Sequence, residues 1–158
     1  MRMSVVGFEH IFAKAVEKEL GPEVVMKVAP LQVLALLKIV AYMDDRHGRR
    51  KDLEDLSRLM EHYELEGKRR FSDEVFETGA DFESAGAFLL GMDVGRLCIG
   101  TEAKIVDNLI EVLKDEGQPA QRISGRRRVE EPAVEEGQKR TEAFAAGFVI
   151  GQRQSYDP

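Results

Sequence analysis

Residues Leu31 to Leu56 read LQVLALLKIVAYMDDRHGRRKDLEDL, and the rest of the fold is read outward from them. Pro30 suits the first turn of a helix, where its missing N–H costs nothing, and Leu31, Leu34, Ala35, Leu37, Ile39 and Val40 make that helix apolar nearly all round. A central core helix is therefore predicted from Leu31. The polar segment Asp44–Lys51, DDRHGRRK around Gly48, requires solvent and ends it. Leu53, Leu56, Leu59, Met60 and Tyr63 then recur at helical spacing, with Asp52 and Glu54 in the first turn where the helix dipole favours acids. This second helix is amphipathic.

Upstream, Phe8, Ile11, Phe12 and Ala15 predict a short helix over Phe8–Ala15 with its apolar side on the core. Val16–Val28 reads as a β-hairpin centred on Gly21-Pro22, because Glu23–Val28 is rich in β-branched residues and Gly-Pro marks a turn. Downstream, Gly67–Arg70 breaks the second helix, and Phe71, Val75 and Phe76 suggest a short one. After Gly79-Ala80-Asp81 comes a helix over Phe82–Leu90, and Ile105, Leu109, Val112 and Leu113 mark another over Thr101–Asp115. Gln118–Arg140 holds almost no apolar residues and reads as a mobile linker, after which Phe144, Phe148 and Ile150 offer a small helix that docks back. The expected fold is α+β and mostly α-helical, a short N-terminal β-hairpin followed by a helical bundle. Residues 1–116 would form the domain, 117–140 a charged linker, and 141–158 a C-terminal helix and tail.

Composition bounds the function. The 158 residues are 43% hydrophobic and 33% charged, enough for one domain that buries roughly two-thirds of its unfolded surface. A formal net charge of -6 argues against coating nucleic acid, which needs an excess of Lys and Arg. Arg126-Arg127-Arg128 stands beside Glu130, Glu131, Glu135 and Glu136, a mixed-charge segment. Cys98 is the single cysteine and cannot close an internal disulfide, which points to a reducing, cytoplasmic setting. Glu9 and His10 interrupt any signal-peptide core, and no run approaches the ~18 apolar residues of a membrane span, so no membrane partner is expected. His10, His47 and His62 lack the spacing of a metal site, which makes them packing or surface residues. P-loop and G-x-S-x-G motifs are absent from the sequence, which disfavours the chemistries they serve.

Lys38 lies among Leu34, Leu37, Ala41 and Tyr42. An ammonium left unpaired in such surroundings carries a large desolvation cost, so it must snorkel to water, pair with Asp52 or Asp55, or meet an anionic ligand. Asp52 and Asp55, three apart, share a helical face and together can fix Lys38 and Arg50 or orient a cation.

The segments Leu36-Leu37-Lys38, Asp44-Asp45-Arg46 and Arg50-Lys51-Asp52-Leu53-Glu54-Asp55-Leu56 resemble the later part of the nucleotidyltransferase superfamily that includes the AbiE-type abortive-infection toxins. Met3–Glu9, Ala29-Pro30-Leu31, His62-Tyr63 and Ala85–Asp93 look like a bacterial family of predicted nucleotidyltransferases within it. The resemblance covers residues 3 to 97. It implies transfer of a nucleoside monophosphate from an NTP with Mg²⁺ to an RNA or protein acceptor, a role for some members as toxins, and a fold like the C-terminal half of such an enzyme. It makes Lys38 the lysine facing the NTP and likens Lys51, Asp52 and Asp55 to the family's KD element. Arg50 joins them as a nucleotide-binding candidate. The glycine-serine loop and the D-x-D pair that hold the metals in that superfamily do not stand on any plausible strand of this chain, so neither a metal ligand nor a catalytic residue is assigned. The expected partner is an N-terminal catalytic half, encoded upstream or lost to a remnant or a misplaced gene start. A non-catalytic helical interaction or regulatory module is the alternative. On the first reading the chain alone transfers no nucleotide, because a two-metal mechanism has no anchor.

Overall fold

The computed structural model describes residues 4–115 and 131–156. A short helix α1 (Glu9–Ala13) leads into an antiparallel hairpin of β1 (Val16–Gly21) and β2 (Val24–Val28), followed by α2 (Leu31–Asp44) and α3 (Arg50–His62). A 3-10 turn (Lys68–Phe71) and α4 (Asp73–Phe76) precede α5 (Phe82–Leu97), α6 (Thr101–Lys114) and α7 (Glu131–Tyr156). The chain is thus mostly helical with an N-terminal hairpin, as its periodicities predict.

The core is centred on α5 rather than on α2. Every residue of α5 from Ser84 to Gly95 is buried, and α2, α3 and α7 pack around it, with Leu36, Ile39, Leu53, Leu56, Met60, Phe88, Leu89, Phe144 and Phe148 in the interior. Helix α5 starts at the expected residue but runs past Leu90 to Leu97, because its glycines are contact points rather than breaks. A Cβ at Gly91 would strike the Phe144 carbonyl, and one at Gly147 would strike the Phe88 carbonyl. Gly95 against Phe148 and Gly151 against Met92 continue the same seam. Glycines four apart on both helices let the two backbones touch, and Phe144 and Phe148 fill the space beside them.

Several boundaries differ from expectation. Helix α3 begins at Arg50, so Arg50 and Lys51 belong to its first turn instead of to the polar loop. Helix α7 begins at Glu131, within the stretch expected to be a linker; residues 117–130 of that stretch lie outside the described residues. Helix α1 buries no residue, and Phe12 is 87% exposed instead of facing the core. The hairpin loop is Pro22-Glu23, one residue later than expected, since Gly21 pairs with Val24. Glu23 takes a left-handed φ of 64° there, a conformation that costs a non-glycine residue ~1 kcal/mol or more.

The hairpin is patterned as a strand pair with one face covered, yet none of the described residues covers it. Register places Val16 opposite Val28 and Lys18 opposite Met26 on one face, with Leu20 and Val24 continuing it; Glu17, Glu19, Val25 and Lys27 occupy the other. Every residue of both strands is exposed.

Candidate functional site

Helices α2 and α3 bring Lys38, Asp52 and Asp55 together. Lys38 Nζ donates to Asp52 Oδ1 and to Asp55 Oδ2, each at 2.8 Å. Of the three outcomes open to this lysine, pairing is the one the fold adopts, and it uses both aspartates because residues three apart on α3 face α2 together. Asp52 is buried in the first turn of α3, and its second oxygen lies 3.5 Å from Arg49 Nη1. Lys38 is half-buried, and the hydrogen bonds to Asp52 and then Asp55 hold its pKa above the usual lysine value despite desolvation. Two carboxylates leave the third ammonium proton free for a further acceptor.

The remaining candidates stand apart. Arg50 and Lys51 are exposed on the first turn of α3 and do not join this triad, since consecutive helical residues point in different directions. They add positive charge at a helix N-terminus, where anions are favoured. The triad does not suit Mg²⁺: Asp52 spends both oxygens on cationic side chains, and Asp55 spends one on Lys38. Its chemistry is therefore that of an oriented ammonium, with no metal-dependent step assigned to it. The groove lined by Glu61, His62, Arg70, Asp81 and Lys139 does not take in Lys38.

Towards its N-terminus from Lys38, one stripe of α2 is left uncovered by the described residues. Leu31 and Leu34 are 45% and 38% exposed, and with Lys38 they follow the i, i+3, i+7 spacing of one helical stripe. The hairpin leads into α2 through Ala29-Pro30.

Two polar clusters go beyond what the sequence patterns anticipate. Asp93, buried on α5, accepts two hydrogen bonds from Arg69, at 2.7 and 3.0 Å, one from Arg96 at 2.9 Å and one from the Tyr63 hydroxyl at 2.6 Å. Burial opposes the Asp93 charge, but the Arg69 and Tyr63 bonds outweigh it and hold the carboxyl below the usual range. Burial likewise pushes the Tyr63 hydroxyl up. This network ties the 3-10 turn and the end of α3 to α5, and the signal for it was a lone carboxylate inside the apolar run Ala85–Val94. The second cluster gathers Glu9 and His10 of α1 with Glu102 of α6.

Comparison of the chain with protein-family models, with curated proteins and with solved structures finds no match in any of the three.

Proposed function

We propose that this chain is a nucleotidyltransferase-family protein acting as the C-terminal portion of an NTP site. It supplies Lys38, with Arg50 and Lys51 nearby, to the phosphates, while Asp52 and Asp55 aim Lys38. The metal-holding carboxylates come from another polypeptide segment that covers the hairpin and the Leu31–Leu34–Lys38 stripe. Nucleotidyl transfer is largely positioning and neutralisation of phosphate charge, and a lysine oriented by two aspartates with one proton to spare is suited to that work.

The observation that carries this reading is the position of Lys38 at the end of an apolar stripe left exposed among the described residues, on a helix whose opposite side is buried in the core. An ion pair that served stability alone has no need of such a neighbourhood. The bare hairpin face equally favours a non-catalytic module that docks on a partner, and the two readings part at the nucleotide.

The test is to purify the chain with the products of its adjacent genes and to measure incorporation of labelled NTP into RNA or protein. Labelling by the complex, none by the chain alone, and loss in Lys38→Ala with the complex still assembled are expected. Labelling by the chain alone overturns the need for a second segment. A complex that assembles but neither binds nor transfers NTP leaves the docking module as the function.

A further inference from the structure

Glu9, His10 and Glu102 place one ligand atom each within 4.8 Å of the others. We propose that they form a site for a divalent transition-metal ion of the Zn²⁺ class, which pins the N-terminal helix α1 to α6. This inference uses none of the residues of the nucleotide reading and stands independently of it.

The donor set is the chemical argument. Imidazole nitrogen and carboxylate oxygen are both ligand types that Zn²⁺ takes, and three protein ligands leave a fourth position to water; imidazole directs choice towards Zn²⁺ and its neighbours rather than Mg²⁺. The cluster is partly built in advance. Glu102 is buried, with its side chain 8% exposed, and its Oε2 accepts the Ile99 backbone N–H at 3.2 Å while Oε1 lies 2.9 Å from His10 Nε2. A backbone donor on the far oxygen fixes the carboxylate's orientation, as outer partners of metal ligands do. The Gly7 backbone, at φ 83°, turns against Leu36 and brings α1 up to this carboxylate.

Charge is the second argument. Two carboxylates converging with an imidazole within 4.8 Å offer a dication opposite charge from two directions. A helix of five residues with no fully buried side chain has little apolar anchorage of its own to hold that arrangement. A dication bound by all three groups supplies both the neutralisation and the anchor. Because α1 ends three residues before β1, the ion would also fix the base of the hairpin.

Isothermal titration of the full chain with ZnCl₂ alone tests the site. One Zn²⁺ per chain is expected, with affinity reduced at least about tenfold in His10→Ala and in Glu102→Gln. Binding should be retained in a His47→Ala/His62→Ala double variant and in Lys38→Ala. Because Glu102 is buried, its variant is accompanied by His10→Ala, which removes a less buried ring. Absence of binding overturns the proposal and leaves His10 and Glu102 as a plain hydrogen-bonded pair; so does equal affinity in wild type and both ligand variants.

Discussion

The seam between α5 and α7 and the hairpin of β1 and β2 spend apolar sequence in opposite ways. At the seam, glycines four apart bring two backbones into contact and Phe144 and Phe148 are sealed, at 0% and 2% exposure. On the hairpin, Val16, Leu20, Val24, Met26 and Val28 are all at least 39% exposed, although their alternation with charged residues is that of a half-buried strand. A two-stranded sheet with neither face packed is marginal in water. Pattern therefore states which face requires burial, but only tertiary contact states whether this chain provides it. Among the described residues the seam is closed on both sides, whereas the hairpin face is left open.

The largest expected effect lies at the seam. Gly147→Ala gains up to ~1 kcal/mol in helix propensity, but its Cβ meets the Phe88 carbonyl, part of a backbone that no rotamer change can move aside. Overpacking of this kind outweighs the gain, and a net loss of about 2–3 kcal/mol is expected, read from the midpoint of urea unfolding at constant slope. Gly21→Ala is the matched control: nothing lies within 4 Å of the added carbon, and stability should stay within ~0.5 kcal/mol. Equal midpoints for the two variants would remove the close seam from the fold.

A smaller effect tests the polar counterpart of the seam. Asp93 has a folded-state pKa below its ordinary value, so the native chain binds fewer protons there than the unfolded chain does. Its contribution is complete above about pH 4 and is lost as pH falls through the folded-state value. Asp93→Asn should flatten this acid-side decline and cost about 2 kcal/mol at neutral pH, since Arg69 and Tyr63 lose an ionised acceptor. Thermal melts of both proteins from pH 7 to pH 2.5 measure the slope. An unchanged slope in Asp93→Asn would assign the acid sensitivity to other carboxylates, Asp81 with its Ser84 hydrogen bonds being the nearest candidate.

Local periodicity made most of the helices legible, and turn chemistry located the hairpin to within one residue. The seam was hidden because a glycine inside a helical pattern reads only as a local weakening of it, and the ~1 kcal/mol it costs relative to alanine is offset only by a helix far along the chain. The repeated spacing Gly91–Gly95 and Gly147–Gly151 was nonetheless present as a signal. At the candidate site, the Lys38 chemistry narrowed its fate to three outcomes, and the three-residue spacing of Asp52 and Asp55 foreshadowed the pair that holds it. Arg50 and Lys51 were grouped with them by the resemblance to the KD element, and the helix points these neighbours in sequence away from the triad. The His10–Glu102 contact joins residues 92 apart, and nothing in either neighbourhood announces it.

The smallest effect on stability should accompany the largest effect on association. Met26→Lys changes the middle of the exposed face, where Met26 is already 50% exposed and pairs across the strands with Lys18. Two like charges then stand opposite one another, a pairing that costs a few tenths of a kcal/mol in a solvated sheet. Because the isolated chain buries nothing there, its unfolding midpoint should shift by no more than ~0.5 kcal/mol. A partner seated on the face would instead have to bury a new ammonium beside Lys18, at a desolvation cost of several kcal/mol. Co-purification with the product of an adjacent gene should consequently fail for Met26→Lys and persist for Lys27→Met, which alters the opposite face. A Met26→Lys chain as strongly destabilised as Gly147→Ala would show the hairpin to be part of the molecule's own core, and the contrast between the two regions would dissolve.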